Sequence, residues 1–378
     1  MILQQYLWLA RCAAVSLVVE LVVCEPLRLE IFRPTVGNDF SLYHKLPVDN
    51  QEQTVIVDTQ SKVSIFVWKT WYEELVGKRC ESLYAGCYDR QLPYPKESDI
   101  ETCIFNDGYS VGIFPSSGDV GFGTFLSAST TFGLICRQPP YSVPPRALFG
   151  LSPGPSLDRF PSFVEQLMVN PSKPLSGNIF ALYLKPDNSD VPTQYKGYLL
   201  LGRGDPSVYE APLRYIPVID AKRLGWQVRI GFFAFENDER TNVADGRAEI
   251  DSGTNTVTIP QWYKRTIMSA IRKKASEAAE AIVDIIPYGP GSYAFNCAYL
   301  KFMPILYFGL GTADDEVRIE IRHEGYFLGK DQLLCLLGVT FVDFNCWIIP
   351  DTALVGNYFE FDEDGERIGY AKLRAGAT

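Results

Sequence analysis

Two short stretches of this chain carry the residue types that acid–base chemistry requires: Asp58-Thr59-Gln60-Ser61 and Asp251-Ser252-Gly253-Thr254. Each Asp ends an apolar approach, Val55-Ile56-Val57 in one case and Ala248-Glu249-Ile250 in the other, the mark of a strand that is at least partly buried. In both copies hydroxyl residues follow the Asp at the first and third positions. A carboxylate at the end of a buried strand is costly unless something solvates it or uses it. The two Asp residues stand 193 positions apart and can meet in one site if the two halves of the chain pack symmetrically. Two close carboxylates cannot both ionise cheaply, so they share a proton and titrate as a pair. The ionised member can take a proton from a water while the protonated member polarises a carbonyl.

The elements that must position them follow from length and pattern. With 378 residues, 47% of them hydrophobic, the chain can bury one large core or two medium ones, and two related halves fit. A second feature repeats: Leu148-Phe149-Gly150 ends 92 residues after Asp58, and Ile348-Ile349-Pro350 ends 99 after Asp251. Many short apolar runs separated by turns predict a mainly β protein. They include edge strands from Leu27 to about Tyr43, a central strand at 53–58, and a strand from Ser64 to Trp71. An apolar hairpin over 102–114 is tipped by Asn106-Asp107-Gly108, and a turn at Ser116-Ser117-Gly118 precedes a strand at 120–125. Tyr358 to Ala371 reads as a closing hairpin. Helical signals are few: a short amphipathic segment at 160–168, and a long one at 261–285 with an apolar stripe through Ile267, Ile271 and Ala275. We divide the chain into a first lobe over 25–215 and a second over 216–378.

Acidic residues outnumber basic ones 45 to 35, a formal charge of -10, which argues against a nucleic-acid partner because phosphates need a basic surface. Residues 1–24 are mostly apolar but interrupted by Arg11 and Glu20; they read as a secretory signal peptide ending near Cys24, with a membrane anchor as the alternative. No later run is long enough to span a bilayer. Seven cysteines lie beyond residue 24. Cys80 with Cys87, and Cys297 with Cys335, bracket loops that suit disulfides in an oxidising compartment, and Cys103 and Cys136 are further candidates, although sequence does not fix connectivity. There is no C-x-x-C, and the two histidines, His44 and His323, lie far apart, so no zinc site is expected.

Gly150-Leu151-Ser152-Pro153-Gly154 matches G-x-S-x-G, the nucleophile elbow of serine hydrolases, and His323 follows downstream. Pro153 and Pro155 nevertheless argue against a nucleophile entering a regular helix, and the alternation of strands with long helices that the scaffold needs is missing. The segment reads as a turn after a buried strand.

Taken in order, these residues resemble the pepsin-like aspartic peptidases. Beyond the two Asp motifs, the likeness includes Phe132-Gly133-Leu134, Phe149-Gly150-Leu151, Phe180 to Leu184, Leu199 to Asp205, Trp347-Ile348-Ile349, Asp351, and Phe361-Asp362 through Ala371, and covers about residues 40–373. The resemblance implies a bilobal pepsin-like β fold with Asp58 and Asp251 as catalytic residues facing one another across a cleft. It further implies that Thr59 and Ser252 cross-bond between lobes, that Ser61 and Thr254 donate to the outer carboxylate oxygens, and that Phe105, Asp107 and Gly108 belong to a flap over the substrate. No cofactor or metal is implied. The expected partner is a peptide or unfolded protein in the interlobe cleft, handled by a monomer that is secreted or held in the endolysosomal pathway.

Three positions depart from the family pattern. Gln60 replaces a glycine and is expected to tilt the Asp58 carboxylate. Phe105 replaces the flap tyrosine and has no hydroxyl to donate. Pro350 replaces the glycine beneath the second carboxylate and is expected to shift the loop carrying Asp251. With cleavage near Cys24, the spacing to Asp58 is expected, against the family pattern, to leave no room for an inhibitory propeptide. The expectation is an aspartic endopeptidase with an acidic optimum; the alternative is an impaired homologue that binds peptides or proteins, including as an inhibitor.

Overall fold

The computed structural model describes residues 25–376 apart from 37–39, 106–107, 124–125, 140–142, 154–158, 172–174, 187–190, 237–238, 290 and 313–314. The signal-peptide region and two residues of the expected flap turn, Asn106 and Asp107, therefore lie outside the described residues.

The first half supplies β1 (Leu27–Pro34), β2 (Tyr43–Val48), β3 (Gln51–Asp58), β4 (Ile65–Val67), β5 (Glu101–Ile104), β6 (Ser110–Phe122), β7 (Leu126–Arg137), β8 (Leu148–Gly150), β9 (Ile179–Leu184), β10 (Gln194–Leu201) and β11 (Arg214–Pro217). Two short helices, α1 (Lys69–Glu74) and α2 (Phe163–Met168), lie among them. After α3 (Ala221–Leu224), the second half begins with β12 (Gln227–Phe235), β13 (Thr241–Asp251) and β14 (Val257–Pro260). Next come α4 (Lys264–Ala279), β15 (Ile286–Pro287), β16 (Tyr293–Asn296), β17 (Leu306–Leu310), β18 (Val317–Ile321), β19 (Phe327–Asp331) and β20 (Leu334–Leu337). β21 (Val339–Val342), β22 (Trp347–Pro350), β23 (Asn357–Asp362) and β24 (Arg367–Lys372) complete the chain.

These strands make a mainly β, bilobal architecture. Thirteen form one sheet in the order β11-β24-β23-β9-β10-β1-β2-β3-β8-β4-β7-β6-β5, and seven form a second, β18-β17-β12-β13-β22-β14-β21. The remaining four make a small sheet, β15-β16-β20-β19. The closing hairpin of β23 and β24 thus returns to the first half, where β23 pairs with β9.

The internal duplication is visible as pairing. β8 inserts between β3 and β4, parallel to the former and antiparallel to the latter, with Gly150 opposite Asp58. β22 inserts in the same way between β13 and β14, with Pro350 opposite Asp251. Such strands are buried on both faces, so they read as continuous apolar runs rather than as alternation.

Several expectations are corrected. β1 is no edge: it lies between β10 and β2, paired to β10 along all eight of its residues. The strand expected through Trp71 stops at Val67, and the chain turns into α1, which buries Trp71 and Tyr72. No turn forms at Ser116-Ser117-Gly118, because β6 continues through it against Phe132, Thr131 and Thr130 of β7, residues that favour extended backbone. The long helix is shorter than its apolar pattern, ending where Glu280 adopts a left-handed conformation. Its buried residues are Ile267, Ile271 and Ala275, as the stripe requires.

Disulfides link Cys80 to Cys87 and Cys297 to Cys335. Cys103 and Cys136 are free thiols instead. They sit on β5 and β7, on opposite sides of β6. Two strand spacings, about 10 Å, separate such positions, more than a disulfide spans. Cys136 is moreover the extra residue of a bulge, and its thiol faces the Gly112 carbonyl at 3.5 Å.

One buried ion pair ties the first strand to the second half. The Arg33 Nε donates to Asp351 Oδ2 at 3.1 Å, its Nη2 donates to the Leu328 carbonyl at 3.2 Å, and neither charged side chain has any solvent exposure. Removing one member of such a pair leaves a buried charge uncompensated. Arg33→Met is therefore expected to lower the unfolding free energy by about 3–5 kcal/mol in urea titrations. The double variant Arg33→Met/Asp351→Leu should recover most of the loss, and a single variant as stable as the double one would contradict this account.

Candidate active site

Asp58 and Asp251 occur where the two inserted-strand motifs meet. Both line one cavity of about 400 Å³, with Gln60, Ser61, Gly253 and Thr254 beside them and Ile104, Phe105 and Tyr109 on the hairpin side. How tightly the motifs interlock is clear at Gly253: a Cβ there would stand 2.6 Å from the Asp58 carboxyl carbon, so a side chain would displace the first carboxylate.

The hydroxyl residues hold the halves together in a two-fold pattern. The Thr59 amide donates to Ser252 Oγ at 3.1 Å, and the Ser252 amide donates to Thr59 Oγ1 at 3.0 Å. Each hydroxyl then donates to a carbonyl across the joint, Thr59 to Ile250 at 2.8 Å and Ser252 to Val57 at 2.7 Å. All four bonds are buried, in a setting where an unmade bond is costly.

Around each carboxylate the donors follow one plan, with one more amide at Asp58. Asp58 Oδ1 accepts from the Gln60 amide at 2.8 Å and the Ser61 amide at 3.0 Å, while Oδ2 accepts from the Ser61 hydroxyl at 2.5 Å. Asp251 Oδ1 accepts from the Gly253 amide at 2.8 Å and Oδ2 from the Thr254 hydroxyl at 2.6 Å. The electrostatics of the second carboxyl are unusual. Burial, and after it the neighbouring Asp58 charge, push the Asp251 carboxyl well above the usual range, against the pull of the Thr254 hydroxyl and the Gly253 amide.

These observations account for two of the three departures from the expected pattern. Gln60 leaves the donor frame of Asp58 intact, because its side chain turns down into the joint, where its amide oxygen fills the space a Cβ at Gly225 would need. Gly225 has a positive φ and ends α3, so a glycine is favoured there twice over. Pro350 is accommodated by a register change. In the first half Ser152 donates its amide to the Ser61 carbonyl at 3.0 Å; in the second the corresponding bond, Asp351 to Thr254 at 2.9 Å, comes one residue sooner. At Gly150 itself a Cβ would fall 2.5 Å from the Ser61 carbonyl oxygen, so the two halves solve one position differently.

A profile of the eukaryotic aspartyl protease family matches residues 46–373. The chain belongs to that family. It is 27% identical to cathepsin D of Chionodraco hamatus over 345 residues, 86% of this chain and 78% of the relative. It is 25% identical to cathepsin D of Clupea harengus over 276 residues, 70% of this chain and 64% of the relative, which is under two thirds of that protein's length. Gastricsin of Oryctolagus cuniculus is 27% identical over 206 residues, covering 53% of this chain and 47% of the relative.

In this aspartyl protease homologue the hairpin of β5 and β6 carries Phe105 at the cavity, its amide bonded to the Tyr109 carbonyl at 2.8 Å, and Gly108 closes the turn with a positive φ. Asp107 lies outside the described residues. Sequence reasoning passed over Tyr109. Its ring lies 5.3 Å from that of Phe105, the Arg146 guanidinium carbon sits 5.5 Å from its ring centre, and its hydroxyl accepts the Arg146 amide at 3.2 Å. Glu249 was also passed over. It sits two residues before Asp251 on β13, is bonded by Gln227 at 2.6 Å, and is held above the usual carboxylate range by burial. The period-two alternation that places Glu249 on the face of Asp251 was the available signal. Ser152 is buried beside Gly225 rather than raised on an elbow, in keeping with its reading as a turn residue.

Two outcomes are expected. Ser252→Ala removes a donor to Val57 and an acceptor for Thr59, and should cost roughly 1–3 kcal/mol for each group left unpaired, measured by urea unfolding. The second concerns pH. Because the folded state holds the Asp251 proton to higher pH than the unfolded chain does, it binds more protons in the window between the two values, and stability falls as pH rises through that window. Asp251→Asn cannot ionise and should melt above the wild type at pH 7 but level with it near pH 3 by calorimetry; equal melting at both pH values would refute the shift.

Proposed function

We propose that this chain is an aspartic endopeptidase that hydrolyses peptide bonds with a water activated between Asp58 and Asp251. The observation that carries this reading is the pair of carboxylates in one cavity, each framed by its own backbone amide and hydroxyl donors. Three donated hydrogen bonds favour the ionised form of Asp58, while the deeper Asp251 keeps the shared proton. Asp58 then takes a proton from the water as it attacks, and Asp251 donates to the peptide carbonyl oxygen. The roles reverse as the amine leaves. The pair works only with one proton between its members, so activity falls as pH rises through the raised Asp251 value. An acidic optimum follows, with the alkaline limb displaced upward from the ordinary carboxylate range.

The cavity offers apolar contact from Ile56, Val63, Ile104, Phe105 and Leu148, which suits an extended peptide with apolar side chains at the scissile bond. The two disulfides support an oxidising setting, secreted or endolysosomal. Among the described residues no helix is long and apolar enough to cross a membrane. Phe105, which brings no hydroxyl to the cavity, favours the second reading, a homologue that binds peptides or proteins without cutting them.

Cleavage of a mixed unfolded-protein substrate from pH 3 to 7, alongside Asp251→Ala, separates the two. Acidic cleavage lost in the variant is the expected result. A folded wild-type chain that cuts nothing at any pH would leave the binding reading. If Gln60 restrains the chemistry by bulk near the dyad, Gln60→Gly should raise kcat several-fold with little change in KM; an unchanged kcat would assign Gln60 to the joint alone.

A further inference from the structure

A second concave surface lies outside the carboxylate cavity and shares none of its lining residues. It is a groove of about 520 Å³ between one flank of α4 and the small sheet, bordered by Trp262 before the helix and by Ile285, Pro287 and Tyr293 opposite. Its charge runs against the rest of the molecule. The chain carries a formal -10, yet the charged residues lining the groove are Lys264, Arg265 and Arg272, with no carboxylate among the lining. Among the described residues none of these three forms a salt bridge, unlike Lys273 on the same helix, which reaches Glu277 at 3.9 Å.

Two of the cations are also held in place. The Lys264 ammonium lies 5.5 Å from the Tyr293 ring centre and 5.8 Å from that of Phe341, and Arg272 donates to the Ile285 carbonyl at 3.1 Å. Beside them Trp262 is 56% exposed, a large apolar surface left in water. Positive charge clustered without counter-charge costs energy through mutual repulsion, which an anionic partner would relieve.

We infer that this groove binds an acidic, extended polypeptide segment, at a site separate from the dyad. The spacing sets the ligand. Lys264 and Arg272 are eight residues apart on a helix, about 12 Å along its axis, and an extended chain covers that distance in about four residues. Side chains four apart on an extended chain point to the same side. Two carboxylates at positions i and i+4 therefore meet the two ends of the groove, with the residues between them over Met268, and an apolar residue two positions outside the carboxylate at the Lys264 end reaches Trp262. Cations seated in a concavity against aromatic rings, rather than spread over a convex face, favour a peptide over a lipid surface. The site stands whether or not the chain cleaves peptides, and in a peptidase it would recruit substrates through an acidic stretch remote from the scissile bond.

The test uses the full chain carrying Asp251→Asn, so that hydrolysis cannot consume the probe. A fluorescein-labelled peptide containing Phe-Gly-Asp-Gly-Gly-Gly-Asp is titrated by fluorescence anisotropy against its Phe-Gly-Asn-Gly-Gly-Gly-Asn counterpart. The expected result is preference for the acidic peptide, weakened about tenfold or more by Arg265→Glu and by raising salt from 50 to 300 mM. Trp262→Ala should weaken both the acidic peptide and the difference between the peptides, with near-UV circular dichroism confirming the fold of each variant. Equal binding of the two peptides, or acidic-peptide binding untouched by both Arg265→Glu and Trp262→Ala, would overturn the proposal. So would tighter binding to vesicles containing phosphatidylserine than to the peptide, or self-association in sedimentation that Arg265→Glu abolishes, since either would assign the groove another occupant.

Discussion

Two carboxylates placed in one cavity repel each other unless a proton sits between them, and the rest of the molecule is arranged to keep that proton available. Asp251 has lost its solvent and feels the charge of Asp58, both of which favour its neutral form. Neither side chain could hold its position alone, because an Asp at a strand end has free torsions. The amides of Gln60, Ser61 and Gly253 and the hydroxyls of Ser61 and Thr254 remove that freedom. Those donors belong to loops that run from β3 to β4 and from β13 to β14, and in each case the inserted strand, β8 or β22, pairs with both of the strands the loop joins. The inserted strands thus exist in both halves for one reason: each clamps the base of an Asp loop.

Holding the two loops against each other is a separate problem, and several independent contacts solve it. The Thr59 and Ser252 bonds cross the joint symmetrically. Trp226 adds a buried donation to the Leu151 carbonyl at 2.9 Å, Gln60 fills the room left by Gly225, and Arg33 reaches from the first strand to Asp351, one residue beyond the strand that abuts Asp251. The closing hairpin completes the first half's sheet rather than the second's. A change at the joint is therefore absorbed by more than one element. This redundancy explains how a glycine could give way to Gln60 and another to Pro350 while the donor distances around the two carboxylates stay alike: 2.8 Å from the amide two residues on in both cases.

The parts legible in the sequence were those set by local pattern. Unbroken apolar runs marked β3 and β22 because burial on both faces leaves no alternation to hide them, and the stripe of Ile267, Ile271 and Ala275 marked α4. The two Asp motifs stood out by their shared hydroxyl spacing. What stayed hidden depends on partners far away in the chain. β1 alternates weakly, and nothing nearby says that it will be sandwiched by β10 and β2 or that Arg33 will be neutralised 318 residues later. The Ser116-Ser117-Gly118 stretch carries turn residues, yet a twelve-residue partner strand holds it extended. Cys103 and Cys136 looked available for pairing because a count of cysteines carries no information about the strand that separates them. Tyr109 and Glu249 escaped notice because each sits beside a more familiar residue.

The energetic cost at Asp251 bears on what the cleft is for. An asparagine at that position could still accept from the Gly253 amide through its oxygen and donate from its amide to a rotated Thr254 hydroxyl, and would fill the same volume, without a carboxyl whose ionisation is opposed by burial and by Asp58. A cleft that only held peptides would gain nothing from the acid, because shape and apolar lining come from Ile104, Phe105 and their neighbours. The same holds for Gly253, whose missing side chain serves only to let one loop approach the opposite carboxylate. Groups that lower stability make sense where a proton must move, because general acid and base work depends on having one carboxyl protonated and its neighbour ionised at the same moment. That asymmetry, built from unequal burial and unequal donor counts on two related loops, suits the acid and base roles of the proposed peptidase reading and is not called for by a passive binding groove.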